Sequence, residues 1–272
     1  MHALLNIAVR AARRSGDAIA RNLGRIDDLK VDSKGRNDFV TDVDRRAEAE
    51  IIATVRRSYP DHAFLGEESG RSGDGEYVWI IDPLDGTTNF LHGFPVFAVS
   101  IAVEHRGKVQ HAVVYDPVRQ ELFTASRGAG AQLDGRRIRV SARRTLQGSL
   151  IGTGFPFRAE SSDLVDDYLA VLKSVMGVAA GVRRAGAAAL DLAYVAAGRL
   201  DGFWEFGLKP WDTAAGSLLI QEAGGQVSTA TGGEFALDPD VVAGNPKICA
   251  ALLELVSPRA PARGLRGEPS AR

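Results

Sequence analysis

Apolar positions recur along the chain with two periods, one helical and one alternating. Leu4, Leu5, Ala8, Ala11, Ala12, Ala18 and Ile19 fall at helical spacing against a face carrying Arg10, Arg13, Arg14 and Arg21, which predicts an amphipathic helix over residues 3–23. Residues 32–38, Asp-Ser-Lys-Gly-Arg-Asn-Asp, are polar and contain glycine, so they predict a mobile loop. Asp44 then reads as the N-cap of a second helix running through Ala47, Ile51, Ile52 and Val55 toward Ser58, where Pro60 stops it. A short strand over residues 64–66 leads to Glu67, and a glycine-rich surface loop comes next at residues 71–76.

The short apolar run Trp79-Ile80-Ile81 predicts a buried strand. After it, residues 96–104, 109–116 and 121–125 read as strands separated by Arg106-Gly107 and Asp116-Pro117, an antiparallel meander extended by a hairpin at Asp134-Gly135. From about residue 146 strands and helices alternate. Strands are predicted at 149–153, 200–206 and 241–243, and helices at 163–176, 187–197 and 246–256. A further helix opens at Pro210-Trp211-Asp212 and closes at Gly224-Gly225. The pattern predicts an α+β half over residues 1–145 with an antiparallel sheet and an α/β half over 146–257. Residues 258–272, with three prolines, four arginines and no apolar period, predict a disordered tail.

Composition narrows the possibilities without choosing among them. The 272 residues are 45 % hydrophobic and 25 % charged, ordinary globular values, and 33 basic against 34 acidic side chains leave a net charge of −1. No overall field therefore points to nucleic acid or an anionic membrane. A single cysteine, Cys249, excludes an internal disulfide. No run approaches the roughly 20 apolar residues that span a bilayer, and arginines interrupt the N-terminal segment in a way a signal peptide does not allow. A cytoplasmic location is the expectation.

The candidate chemistry lies in Trp79-Ile80-Ile81-Asp82-Pro83-Leu84-Asp85-Gly86-Thr87-Thr88. The buried strand delivers Asp82 and Asp85 together at its C-terminal end, Pro83 fixes one dihedral between them, and Asp85-Gly86 permits a sharp turn. Both carboxylates and the Leu84 carbonyl can then converge on one point, an oxygen-only set suited to Mg²⁺. A helix starting just after Gly86 would offer free N–H groups to a phosphate beside the metal, with the Thr87 and Thr88 hydroxyls next to it. Taken alone, Asp-Pro-x-Asp-Gly is most often simply a turn. Isolated, Glu67 reads as a turn acid, Asp212 as a helix cap and Asp38 as a solvated loop residue. Glu68, Asp42 and Asp44 read as structural, and the histidines do not suit a hard cation.

Three motifs together change this. Glu67-Glu68-Ser69, the segment from Trp79 to Pro95, and Trp211-Asp212-Thr213-Ala214-Ala215-Gly216 resemble, in order and spacing, the signatures of the inositol monophosphatase family, in particular its bacterial inositol-1-monophosphatase branch. The resemblance implies stacked layers of helix, sheet, helix, sheet and helix, with the active site between the two halves. It also implies Mg²⁺ ions held by Glu67, Asp82, the Leu84 carbonyl, Asp85 and Asp212, with Asp82 shared, and an attacking water set by Thr87 and Asp38. Gly86, Thr87, Thr88 and Asp212 would face the substrate, while Gly186, Ala187, Ala188 and Glu205 match the family's inositol contacts. Ala187 departs from the pattern, where Ser or Thr is common, and this weakens the expected preference for inositol.

The activity implied by the resemblance is that of a lithium-sensitive, homodimeric, Mg²⁺-dependent phosphomonoesterase acting on myo-inositol 1-phosphate. Sugar bisphosphatases, histidinol-phosphate phosphatases and nucleotide 3′-phosphatases share the same metal site. Bacterial relatives are also associated with RNA polymerase antitermination complexes in ribosomal RNA synthesis. Arginine pairs such as Arg136-Arg137 and Arg183-Arg184 are candidates for that second role.

Overall fold

A computed structural model describes residues 2–24, 31–35, 38–156 and 163–261. Helices α1 (Ala3–Asn22) and α2 (Asp42–Arg56) cover one face of an eight-stranded sheet. Its strands are β3 (Ala63–Gly66), β4 (Gly70–Ser72), β5 (Tyr77–Asp85), β6 (Ala98–His105), β7 (Lys108–Asp116), β8 (Glu121–Ser126), β9 (Gly130–Leu133) and β10 (Arg136–Arg137), in the order β10-β9-β8-β7-β6-β5-β3-β4. From β6 to β10 the pairing is the predicted antiparallel meander, which β5 extends by pairing antiparallel with β6, and β3 joins β5 in parallel.

The opposite face carries α5 (Ala188–Ala196) and α6 (Pro210–Glu222). Beyond them lies a five-stranded sheet of β11 (Leu150–Thr153), β12 (Gly181–Arg183), β13 (Gly202–Glu205), β14 (Gln226–Thr229) and β15 (Val241–Gly244), in the order β12-β11-β13-β15-β14. Helices α4 (Val165–Met176) and α7 (Pro246–Val256) close its outer face. The result is the five-layer αβαβα sandwich.

Period-2 alternation explains the layering. In β6, Val99, Ile101 and Val103 point into the core shared with α1 and α2, whereas Ala98 and Ala102 point into the core shared with α5 and α6. Such a strand is apolar throughout because both faces are covered. Helix α6 lies between two sheets, and its residues from Asp212 to Ile220 are all buried, so it lacks the polar face that marks α1.

Four features differ from expectation. The loop predicted over residues 32–38 contains most of β1 (Val31–Gly35), which pairs antiparallel with β2 (Asp38–Thr41), held by backbone pairing and therefore without an apolar signature. Thr41, not Asp44, is the N-cap of α2. The short strands β4, β12 and β14 escaped the pattern because they lie at sheet edges, where strands are short and polar. Residues Ser257–Arg259 form a 3-10 turn where the disordered tail was expected to begin, and residues 262–272 lie outside the described part. Among the described residues, no helix is long and apolar enough to cross a membrane.

Candidate active site

A β-bulge brings the two acids of the central motif to one side. Asp82 pairs with Ser100 and Asp85 with Ala98, so three steps along β5 match two along β6. The extra residue reverses the alternation, and Asp82 and Asp85 both turn toward α5 and α6 while the Leu84 side chain packs against the α1–α2 layer. Gly86 then turns the chain with φ +94°. A Cβ there would stand 2.9 Å from the Val96 carbonyl oxygen, so the position demands glycine. The predicted helix after it is the short α3 (Thr87–Leu91).

Asp212 reaches the same point from the N-terminus of α6. One of its oxygens accepts the Lys209 N–H at 2.7 Å, which satisfies the helix end. One ligand atom from each of Asp82, Asp85 and Asp212 lies within 4.8 Å of the others. Glu67 joins them by sharing a hydrogen bond with Asp82. Asp85 Oδ2 accepts the Ala189 N–H at 2.7 Å, tying the cluster to the start of α5.

Burial, reinforced by the charges of Glu67, Asp85 and Asp212, holds the Asp82 carboxyl well above the usual carboxylate range. Burial and Asp212 do the same to Asp85. An all-oxygen set of buried, mutually repelling carboxylates fits a hard divalent cation, which would remove the repulsion. The chain thus provides an acidic cluster able to bind metal.

Beside the cluster, the Thr87 hydroxyl lies 3.0 Å from Asp44 Oδ1 and 3.1 Å from the Leu84 carbonyl oxygen. The resemblance had paired Thr87 with Asp38. The Asp38 side chain lies outside the described residues, and the carboxylate that reaches Thr87 is Asp44. Asp44 is fully buried at the third position of α2, where its other oxygen accepts the Thr41 N–H at 2.9 Å and the Thr41 hydroxyl. Burial raises its carboxyl above the ordinary value, while hydrogen bonds from Thr41 and Thr87 pull it back. The sequence held a signal for this arrangement in the capping-box string Thr41-Asp42-Val43-Asp44.

The cluster floors a cavity of about 460 Å³. Gly86, Thr87, Thr88, Gly186, Ala187, Ala188 and Glu205, all expected near the substrate, line it. Glu205 stands at the end of β13 in the space that any Cβ on Gly154 would need. Burial and the charges of Asp191 and Asp212 raise its carboxyl well above the usual range.

Several contributors were not expected. Asn89 Nδ2 donates to the carbonyls of Val96 (2.7 Å) and Ala185 (2.8 Å), fastening α3 to the segment before α5. Glu48 of α2 holds the backbone just after Glu67. Asp191 and Arg184 also line the cavity. Asn89 lies within the Trp79 to Pro95 motif, but its bond to Ala185 spans 96 residues, and Glu48 acts across 20 and 21, so no local pattern gives these roles.

The inositol monophosphatase family pattern matches residues 1–259. The chain is 58 % identical over 266 residues to Nus factor SuhB of Pseudomonas aeruginosa, covering 96 % of this chain and 98 % of that protein. The crystal structure of the extragenic suppressor protein suhB from Bartonella henselae superposes with a TM-score of 0.90 at 45 % identity, covering 97 % of this chain and all of that one. A Thermotoga maritima IMPase superposes with a TM-score of 0.87 at 35 % identity, over 95 % and 98 % of the two chains. The pattern match, these relatives and the layered fold agree that the chain belongs to the inositol monophosphatase family.

Proposed function

We propose that the protein is a Mg²⁺-dependent phosphomonoesterase that hydrolyses myo-inositol 1-phosphate by direct attack of water. The observation that carries this reading is the meeting of Asp82, Asp85 and Asp212 in one cavity that Thr87, hydrogen-bonded to the buried Asp44 behind it, also lines. Glu67, Asp82, the Leu84 carbonyl, Asp85 and Asp212 would hold the metal. When bound, Mg²⁺ lowers the pKa of water and neutralises charge on the phosphoryl oxygens.

The chain's own residues orient the nucleophile. The Thr87 hydroxyl has one proton and two lone pairs, so with its proton directed to Asp44 Oδ1 it accepts a hydrogen bond from the attacking water. Asp44, fixed by Thr41, takes the Thr87 hydroxyl proton as that hydroxyl takes one from the water, and so acts as the general base of the pair. This assignment replaces Asp38. Glu205, with Gly186, Ala187 and Ala188, receives the leaving group. The reading includes a homodimer and inhibition by lithium, carried over from the family resemblance, and a cytoplasmic location, expected from the single cysteine and the arginine-interrupted N-terminal segment.

Phosphate release from inositol, sugar, histidinol and nucleotide phosphates, with Mg²⁺ and in excess chelator, tests the proposal. Inositol 1-phosphate should be preferred and chelator should abolish turnover. Undiminished turnover in chelator would refute the metal assignment, and preference for another ester would move the activity to a related phosphatase.

A second reading has support in the designation of the Pseudomonas aeruginosa relative as a Nus factor. This chain would then also contact the transcription machinery. The arginine pairs are exposed, though Arg14 is engaged by Glu50 at 2.7 Å and Arg143 by Asp201 at 3.3 Å. If Asp85→Asn abolishes hydrolysis and leaves binding to RNA polymerase complexes intact, the two roles are separable.

A further inference from the structure

Among the described residues, Asp191 is the buried acid of the cavity that the metal cluster, the Thr87–Asp44 pair and the expected polyol contact of Glu205 leave unexplained. It is 2 % exposed and lines the cavity, and among the described residues no hydrogen-bond donor reaches its carboxylate. Buried polar groups nearly always have a partner, and an unpaired carboxylate destabilises the fold. Burial accordingly holds this carboxyl well above the usual range, opposed only by Arg184.

Its place on α5 says what it faces. The Asp191 N–H donates to the Ala187 carbonyl at 3.0 Å, so the two residues are one helical turn apart. A helical side chain leans toward the N-terminus, which sets the carboxylate over the turn that begins at Ala187. Alanine there presents only a methyl group and leaves the acid open to the cavity. Glu205 enters from β13 close enough for its charge and that of Asp191 to repel. Two acceptors therefore face the same cavity, close enough to act together.

We propose that Asp191 is a specificity-determining residue that acts with Glu205 as a paired acceptor, selecting phosphate esters whose leaving group carries neighbouring hydroxyls. Each carboxylate takes a hydrogen bond from one hydroxyl of a vicinal diol, and the substrate supplies the donor that Asp191 lacks. This rests on the phosphatase reading and deepens it. It also restores a polyol contact in a chain that has lost the hydroxyl common at position 187.

The test compares Asp191→Asn with wild type on myo-inositol 1-phosphate and on an aryl phosphate whose leaving group has no hydroxyls. Loss of one charged acceptor should raise KM for the polyol ester about tenfold or more with kcat retained, and leave the aryl ester within about twofold. The polyol-to-aryl ratio of kcat/KM should fall accordingly. A melting temperature that is unchanged or raised without substrate supports the proposal too, since the substitution removes an unpaired buried charge. A ratio within about twofold of wild type overturns it, whatever the melting temperature. If wild type hydrolyses neither ester, the phosphatase reading itself falls, a result distinct from failure of the variant to lose discrimination.

Discussion

Glu48→Gln offers a sharp test of how Glu67 is held. Glu48 is buried on α2, 2 % exposed, and its carboxylate accepts the backbone N–H groups of Glu68 and Ser69, both at 2.9 Å. On its other side Glu67 donates its own N–H to Ile81 at 3.1 Å, so the metal-facing acid sits between a strand pairing and a carboxylate clamp. Glutamine keeps one acceptor and turns an NH₂ toward the second N–H, donor against donor. The loss of one charge-assisted bond is about 1.5–3 kcal/mol. If that loosening falls on the segment carrying Glu67, Mg²⁺ affinity drops by about 10–100-fold, the range found when supports behind metal ligands are removed.

The assay is the Mg²⁺ dependence of phosphate release together with Mg²⁺-induced thermal stabilisation. The half-saturating Mg²⁺ concentration should rise by that factor while kcat at saturating Mg²⁺ stays within about twofold. Gly66→Ala should reproduce the effect, because the added Cβ would strike the Glu48 carboxylate. An unchanged half-saturating concentration with a lowered melting temperature would show that Glu48 serves only the fold.

Asp85→Asn and Asp212→Asn should each cut turnover by at least about a hundredfold while the metal-free protein melts no lower, since each substitution removes a repelling charge; near-normal rates at ordinary Mg²⁺ would contradict the ligand set. Asp44→Asn should lower kcat by about 10²–10⁴-fold with little change in KM, and a larger loss in Asp38→Asn would return the general-base role to Asp38. In the metal-free protein the raised Asp82 and Asp85 carboxyls lose stability as pH rises above the ordinary carboxylate value of 3.8 through their folded values, so the gain in melting temperature on adding Mg²⁺ should be larger at high pH than at low pH. His111 works in the opposite sense. Burial and then the neighbouring His2 push its imidazole from 6.5 down to about 4, so the unfolded chain binds the extra proton between these values and stability falls as pH drops through that window. His111→Gln should flatten the melting profile there.

How much of this was legible in the sequence depended on how local the cause was. The β6–β8 meander, the hairpin at Asp134-Gly135 and helix α7 were readable because alternation, turn chemistry and caps act within a few residues. The layered stacking was not, since nothing in the period of α6 says that both of its faces meet sheets. Glu67, Asp82, Asp85 and Asp212 were singled out through motifs, and the turn of Asp82 and Asp85 to one side comes from a bulge no period reveals. Glu48 acts across 20 and 21 residues, Asn89 reaches Ala185 across 96, and Asp191 meets the cavity only once α5 is packed, so only the folded chain identifies them.

Asp44 is the most instructive miss, because the feature that hid it also explains how it is held. Read as a helix cap, it has finished its work; in the structure only one of its oxygens serves the cap, and the other meets Thr87. Asp212 is built the same way, with one oxygen on the Lys209 N–H and a ligand atom in the acidic cluster. A carboxylate at the third position of a helix is held by a backbone that exists whether or not substrate or metal is present, and the positive end of the helix favours its charge. The device suits a site that must keep several acids in a buried space. Two unrelated helix starts, α2 and α6, thereby serve the same cavity, Asp212 directly and Asp44 through Thr87, and a capping residue next to a buried acidic motif becomes a candidate for chemistry.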